Sequence, residues 1–158
     1  MLWEALRQMG AILSIALRVD HRQKFAEVRV SGTVMLHDIL GYFESLVAQG
    51  AMPYAKLVDA REAKPKFSES DMETIGDGVR ALGLFDPRGP VATVASSSET
   101  LDFLRRFAKV DSAKRPIENF ATVTAAKTWL AKQQAQPAGQ IADRVDVTTC
   151  FPIKRQAR

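Results

Sequence analysis

The order of hydrophobic and polar residues predicts an opening β-hairpin. In residues 13–20 apolar side chains alternate with small or polar ones, and Ala26, Val28 and Val30 resume that alternation after the polar turn at residues 21–24. A period of two is typical of strands that bury one face. Two such strands across a short polar turn form a hairpin.

Beyond the hairpin the pattern alternates between helix and strand. Apolar residues fall on one helical stripe in residues 36–47, and Gly50 follows where a left-handed C-terminal cap belongs. Residues 54–60 and 90–95 are short apolar runs bounded by turn residues. Such runs predict inner strands of a sheet, because both of their faces are buried.

The same alternation continues to the last helix. Ser70 and Glu73 have the spacing of a capping box, which predicts the start of the second helix. A third helix follows the strand at 90–95, residues 117–121 predict a short edge strand, and a final helix has Trp129 as its buried anchor. The order β-β-α-β-α-β-α-β-α predicts an α/β fold with a mixed sheet, in which an N-terminal hairpin precedes alternating helices and strands.

Composition is that of one ordinary globular domain. The chain has 158 residues, of which 46% are hydrophobic and 25% are charged, and its net charge is +4. One cysteine (Cys150) excludes an internal disulfide, and one cysteine with two histidines does not favour a structural zinc site. The sequence predicts no metal and no cofactor.

Three segments follow from these patterns. Residues 1–11 are interpreted as an N-terminal extension, 12–133 as the folded domain, and 134–158 as a flexible tail because no apolar period persists there. The apolar run at 9–17 is too short to span a bilayer and lacks the flanks of a signal peptide, which favours a cytoplasmic protein. The sequence leaves open whether the chain forms a homodimer.

Five motifs resemble the bacterial SpoIIAA-like family, whose STAS-like fold is related to the lipid-binding lobe of CRAL-TRIO proteins. They occur in the family's order over about residues 12–132: VRVSG at 28–32, YAKLVDAR at 54–61, PVATVA at 90–95, RRF at 105–107, and Phe120 followed by AKTWL at 126–130. The resemblance implies a STAS-like α/β domain. It also implies a non-enzymatic module that binds a protein partner or a small apolar or amphipathic ligand.

One feature of the related anti-sigma-factor antagonists is missing. They carry an Asp-Ser-x-Gly loop with a phosphorylated serine after the strand equivalent to 54–60. Here that strand runs into Ala60-Arg-Glu-Ala-Lys-Pro-Lys-Phe67, and Ser68 and Ser70 come later. The resemblance therefore does not imply the phosphorylation switch.

Asp59 and Arg61 are the leading site candidates, because the carboxyl ends of strands are where open α/β sheets place ligands. Acidic residues at such positions more commonly organise a loop. In that case Asp59 would accept backbone N–H bonds while Arg61 stays in solvent. The runner-up function, a small enzyme, would use Asp59 with a serine near a helix start. No catalytic constellation stands out in the sequence.

Two groups of serines precede predicted helices. Ser68 and Ser70 lie before the second helix, and Ser96, Ser97 and Ser98 lie before the third. Helix N-termini favour anions, so the two groups together predict an anion-binding pocket. Plain capping explains Ser70 at least as well.

A basic face on the third helix offers a further hypothesis. Arg105, Arg106 and Lys109 share its polar side and would suit an anionic membrane surface. Asp102 lies three and four residues before the two arginines, which favours a solvated ion-pair face instead. Nucleic acid is not expected, since no aromatic residues are interleaved with the basic ones.

Overall fold

The structure, a computed structural model, describes residues 14–85, 87–110 and 115–135. The predicted extension at 1–11 and nearly all of the predicted tail lie outside these ranges. The elements in chain order are β1 (Ile15–Asp20), β2 (Phe25–Val34), α1 (Leu36–Ala48), β3 (Ala55–Pro65), α2 (Glu69–Ala81), a short 3-10 helix (Leu82–Phe85), β4 (Val91–Val94), α3 (Ser98–Val110), β5 (Ile117–Phe120) and α4 (Val123–Ala135).

The five strands form one mixed sheet in the order β1-β2-β3-β4-β5. β1 and β2 pair antiparallel as the predicted hairpin, and β2 to β5 run parallel. β3 and β4 are inner strands and β5 is an edge strand, so these three predictions are confirmed. Neighbouring parallel strands are also consecutive in sequence, which is the arrangement that right-handed crossovers give when their helices cover one face.

The two faces of the sheet are covered unequally. The larger core joins one face to α1, α2 and α3 through buried side chains such as Val28, Phe43 and Ile75. Within the described residues, the other face packs on α4, through residues that include Leu57 and Leu130. Successive side chains of each inner strand point to opposite faces of the sheet, so each inner strand contributes to both cores. Residues 54–60 and 90–95 are therefore apolar at adjacent positions.

Strand β3 is longer than the predicted 54–60. It contains one extra residue relative to β2, because Arg29 pairs with Asp59 whereas Ser31 pairs with Glu62. Past this β-bulge it continues beside the end of β2 to Pro65. Residues 62–65 include Glu62, Lys64 and Pro65, which are depleted in strands, but a neighbouring strand supplies backbone partners there and overrides this low propensity.

The helix ends follow the sequence with one correction. Gly50 has φ +66° directly after the end of α1, as predicted for a left-handed cap. The capping box of α2 is formed by Ser68 and Asp71, not by Ser70 and Glu73. The Ser68 side chain reaches the correct backbone N–H because the helix begins two residues earlier than the apolar pattern indicates.

The last helix is held mainly by small and aliphatic residues. Ala126 and Leu130 are fully buried against the sheet, whereas Trp129 is half-buried with its ring 5.5 Å from that of Phe120. The prediction that Trp129 is the buried anchor is therefore only partly met. Leu130, one residue further along the helix, points more directly into the core.

Candidate functional site

Asp59 and Arg61 form an ion pair at the carboxyl end of β3. The guanidinium donates from Nε to Oδ1 at 2.9 Å and from Nη2 to Oδ2 at 2.7 Å, which is a two-pronged contact. Side chains two residues apart lie on the same face of a strand, so the two groups can meet in this way. Hydrogen bonding from the Arg61 side chain holds the pKa of the Asp59 carboxyl below its usual value.

The serines predicted before α2 have local contacts. The Ser68 hydroxyl accepts the N–H of Asp71 at 3.0 Å, and the Asp71 carboxylate accepts the N–H of Ser68 at 2.9 Å. Ser70 lies exposed in the first turn, where its carbonyl oxygen accepts a bond from Thr74 Oγ1. This geometry is that of a helix cap, which is the simpler of the two predicted roles.

The second serine group caps α3 and ties it to β3. Ser96, Ser97 and Ser98 are exposed, and Ser97 Oγ accepts the N–H of Thr100 at 3.2 Å. The Ser97 hydroxyl also donates to Thr100 Oγ1, which in turn donates to the carbonyl oxygen of Ala63. The described hydrogen bonds of the two serine groups do not include Asp59 or Arg61, so a shared anion pocket stays a prediction.

The basic face of α3 is partly engaged within the domain. Arg106 contacts Asp102 one turn before it at 3.2 Å and Glu69 of α2 at 3.3 Å. Arg105 and Lys109 are exposed. Among the described helices, none is long and apolar enough to cross a membrane. Binding of this face to an anionic membrane surface stays a prediction.

The interior contains a cavity that sequence reasoning did not predict. It lies between the sheet and helices α1 to α3 and has a volume of about 100 Å³. Its wall is almost entirely apolar, with side chains from the inner strands and all three helices: Val28, Val30, Phe43, Val58, Val79, Phe103 and Phe107 among others. Large apolar residues surround a space that none of them fills.

Three basic residues reach this cavity at the amino-terminal edge of the parallel strands. Lys56 is the second residue of β3, Arg88 precedes β4 and Arg115 precedes β5. Lys56 and Arg88 are 1% and 5% exposed, so both are buried cations. The described residues that line the cavity include no Asp or Glu.

Backbone carbonyl oxygens hold the three cations in place. Lys56 Nζ donates to the carbonyl oxygens of Met52 and Tyr54, each at 2.8 Å. Arg88 Nη1 donates to Val79 O at 3.2 Å. Arg115 Nη1 donates to Gly89 O at 3.2 Å. Gly89 is required there, because an added Cβ would overlap the carbonyl oxygens of Pro53 and Tyr54.

Tyr42 of α1 also lines the cavity. Burial raises the pKa of its hydroxyl, and the nearby charge of Arg115 opposes that shift. The phenol therefore stays protonated at neutral pH and remains a hydrogen-bond donor. Tyr42 was missed in the sequence because it lies beside the apolar stripe of α1 and belongs to none of the motifs.

The sequence does indicate that the three basic residues lie at one edge of the sheet. Each stands just before, or at the start of, a buried parallel strand: Lys56-Leu-Val, Arg88-Gly-Pro-Val and Arg115-Pro-Ile. Since the amino ends of parallel strands meet at one edge of a sheet, three such cations come together there. Within the described residues there is no group of His, Cys, Asp and Glu that could hold a metal ion.

Comparison with known proteins defines the fold. Neither a family model nor a curated protein matches the sequence. An uncharacterized protein of the DUF3478 family from Shewanella loihica PV-4, with a SpoIIAA-like fold, superposes with a TM-score of 0.53 at 17% identity, over 74% of this chain and 94% of that one. An anti-sigma factor antagonist from Mycobacterium paratuberculosis gives a TM-score of 0.48 at 16% identity, over 77% and 97%. The chain has a SpoIIAA-like α/β fold, as its motifs predicted.

Proposed function

We propose that this protein is a non-enzymatic module that binds a small apolar or amphipathic ligand in the cavity between the sheet and helices α1 to α3. The cavity itself is the observation that carries the proposal. Ligand sites are typically concave and mostly apolar, with a few polar groups placed at one end. This cavity has that distribution, with apolar walls and the side chains of Lys56, Arg88 and Arg115 at one edge of the sheet.

The volume suits a small ligand. A cavity of about 150 Å³ lined by apolar side chains stays dry and binds benzene, and the volume here is about 100 Å³. Close packing leaves few voids of this size in ordinary cores, and an empty one destabilises the fold. Filling the space would recover lost van der Waals contacts, so a ligand would stabilise the folded chain.

An enzymatic role is less well supported. The Asp59 carboxylate is engaged by Arg61 through two hydrogen bonds, and the lowered pKa makes it a poor general base. The Ser68 hydroxyl accepts a backbone N–H in the cap of α2. Among the described hydrogen bonds, none joins the Ser68 hydroxyl to a side-chain base of the kind that activates a serine nucleophile.

Benzene titration followed by methyl NMR tests the proposal. We expect saturable shifts of methyl groups that line the cavity, such as those of Val58 and Val79. Ala60 is buried in the cavity wall, and Ala60→Leu should fill part of the space and abolish the shifts. Ala48→Leu adds the same atoms at an exposed position of α1 and should leave binding unchanged. If benzene shifts no cavity methyl in the folded wild-type chain, the proposed function is wrong.

A protein partner is the second candidate, and one observation favours it. Met35 lies immediately before α1, and 45% of its surface is accessible. Among the described residues it is the large hydrophobic side chain that is exposed. Exposed methionines adapt to varied partner surfaces. A photo-crosslinking residue at position 35 should capture a single partner in cells, and the same residue at exposed position 44 should not. Equal labelling from both positions would contradict this role.

A further inference from the structure

We propose that residues 145–151 add a sixth strand to the sheet by pairing antiparallel with the open edge of β1 in the same chain. The segment lies outside the described residues, within the part that the sequence pattern assigns to a flexible tail. Three features support the pairing: the unpaired edge of β1, the place where α4 ends, and the order of side chains in 145–151. The inference does not depend on ligand binding in the cavity.

One edge of β1 presents backbone groups to a further strand. In the described sheet β1 is an end strand that pairs with β2 alone. The N–H of Ser31 donates to Ser14 O at 2.9 Å, and bonded and non-bonded pairs alternate along an antiparallel ladder. The bonds to β2 therefore fall at the even-numbered residues of β1. The N–H and C=O groups of Ile15, Leu17 and Val19 point to the open edge, where another strand can pair with them.

The described domain covers the side chains of this edge incompletely. Ile15, Leu17 and Val19 pack beside the cores on the α1 side of the sheet, yet each is only half-buried. Their pairing partners on β2 are buried: Ala26, Val28 and Val30. A strand on the outer side of β1 would cover the remaining apolar surface, and removal of that surface from water is favourable.

The last helix brings the C-terminal segment to this edge. Gln134 Nε2 donates to the carbonyl oxygens of Gln23 at 3.4 Å and Lys24 at 3.5 Å, so α4 ends beside the turn of the hairpin. The chain therefore leaves α4 close to the C-terminal end of β1, and a segment that runs back along β1 from there is antiparallel to it. The connection, residues 136–144, reaches up to about 30 Å when extended. A strand as long as β1 is roughly 20 Å in length, so the connection is long enough.

The segment itself has the side-chain order of a strand. Apolar residues or threonine occupy every second position: Val145, Val147, Thr149 and Phe151. A period of two that includes Val, Thr and Phe is typical of a strand that buries one face. Pro152 follows directly, and proline ends such a pattern because it has no N–H to donate.

Pairing at the open edge fixes the face that the apolar side chains take. Directly opposed residues share a face of the sheet, so the apolar residues of the segment must lie opposite the odd-numbered residues of β1. With Val147 opposite Leu17, Asp146 lies opposite Arg18. The Arg18 side chain is 54% exposed, and its Nε lies 3.9 Å from Glu27, which leaves room for a closer carboxylate. Opposite charges across neighbouring strands are stabilising, and this favours the stated register.

A spin label on Cys150 tests the pairing without any substitution. Cys150 is the single cysteine of the chain, and in the proposed register it shares the polar face of Asp146, so the label stays out of the core. Paramagnetic broadening of amide signals is measured on the whole isotope-labelled chain, with the reduced label as reference. Because β5 lies about 20 Å beyond β1 across the sheet, we expect β1 signals to lose about fivefold more intensity than β5 signals.

A matched pair of variants assigns the broadening to the apolar face of the segment. Val147→Asp places a charge beside Leu17 and should abolish the selective broadening of β1. Thr148→Asp places the same charge on the polar face and should retain it. Hydrogen exchange without the label is a second measurement: the Leu17 amide should exchange about tenfold faster in Val147→Asp than in wild type or Thr148→Asp. Unchanged signals from α1 to α4 confirm that the domain stays folded in each variant.

Three results would overturn the inference. Broadening of β5 that equals or exceeds that of β1 means that the segment does not pair with β1. If an isotope-labelled chain without a spin label shows the same broadening when mixed with spin-labelled chain, a second copy supplies the strand instead. If the Leu17 amide exchanges slowly in Val147→Asp, a different segment covers the edge. Benzene titration tests the proposed function separately, whichever of these results is obtained.

Discussion

The two edges of the parallel strands are built in different ways. At the carboxyl edge, the candidate site residues contact partners close in sequence: Asp59 with Arg61, Ser68 with Asp71, and Ser97 with Thr100. One longer contact there joins Thr100 Oγ1 to the carbonyl oxygen of Ala63. At the amino edge the contacts join segments far apart, as when Arg115 donates to Gly89 O and Gly89 donates to Met52 O. Local contacts shape loops and helix caps, whereas the long-range ones fix where strands β3, β4 and β5 begin.

This difference between the two edges favours the amino edge as the location of a ligand site. Open α/β sheets commonly bind ligands outside the carboxyl ends of their strands, and that rule directed attention to Asp59. In this molecule Asp59 and Arg61 pair with each other, and the Ser68 and Ser97 hydroxyls take part in helix caps. Buried cations and an apolar cavity meet at the other edge instead.

The largest effect is expected for Gly89→Ala at the amino edge. A Cβ there would overlap the carbonyl oxygens of Pro53 and Tyr54, so the chain between β3 and β4 must move. We expect a loss of about 3 kcal/mol in the free energy of unfolding, measured by urea denaturation.

Gly41→Ala is the matched control for that substitution. Gly41 lies in α1 with no atoms within 4 Å of an added Cβ, and alanine favours a helix by up to about 1 kcal/mol. The control should be neutral or stabilising. If Gly89→Ala were equally harmless, the close approach of the segments at the amino edge would not be important for stability.

The second expected effect concerns Lys56. Lys56→Met retains the length of the side chain but removes the donor from the carbonyl oxygens of Met52 and Tyr54. Leaving a buried carbonyl without its donor costs about 1–3 kcal/mol, which should appear as a lower midpoint in urea.

Lys64→Met is the control, since Lys64 is an exposed residue of the same strand and should shift stability by no more than about 0.5 kcal/mol. An unchanged or higher stability in Lys56→Met would mean that desolvation of the ammonium cancels its hydrogen bonds.

The fold was predictable because its signals are local and repeated. Alternation in residues 15–20 and 25–30 gives the hairpin, and the apolar runs around Leu57 and Val94 give the inner strands. The extension of β3 to Pro65 was not predictable in that way. The extension depends on backbone pairing with the end of β2. The side chains of residues 62–65 do not form a pattern that would predict a strand.

The candidate site was less predictable, for a physical reason. A cavity forms where side chains from several elements together do not fill the space between them. The sequence of any one segment therefore gives no sign of it. The cations Arg88 and Arg115 precede strands in what sequence alone suggests are loops, where a basic residue is ordinarily solvated. The burial of Arg88 and the partial burial of Arg115 follow from strand order, which becomes known only with the sheet.

A smaller effect is expected at the cap of α2. Ser68→Ala removes the oxygen that accepts the Asp71 N–H at 3.0 Å, and loss of such a cap costs about 1 kcal/mol. Ser70→Ala is the control, because Ser70 lies exposed within the first turn and should change stability little. Thermal unfolding of the two variants distinguishes them. If Ser70→Ala is the more damaging, the helix begins where the sequence pattern placed it.

The smallest effect on stability, with a distinctive pH dependence, is expected for Arg61→Gln at the carboxyl edge. Hydrogen bonding from Arg61 is the main cause that lowers the pKa of Asp59 in the folded chain, and Arg29 contributes less. A carboxyl whose folded pKa is lowered adds stability above its unfolded pKa of about 3.9, and that stability is lost as pH falls through the folded pKa. The substitution should therefore raise the Asp59 pKa towards its usual value. The stability difference between wild type and variant should disappear at acid pH, once Asp59 is protonated in both.

Carboxyl-detected NMR titration measures the pKa of Asp59 directly, and Arg105→Gln controls for loss of a remote exposed charge. The pair is largely exposed on the Arg61 side, at 51%, so solvent and salt screen it and the melting temperature at neutral pH should change little. An Asp59 pKa that stays low in Arg61→Gln would assign the shift to Arg29 and the backbone instead. A large loss of stability at neutral pH would show that the carboxyl edge supports the fold as strongly as the amino edge does.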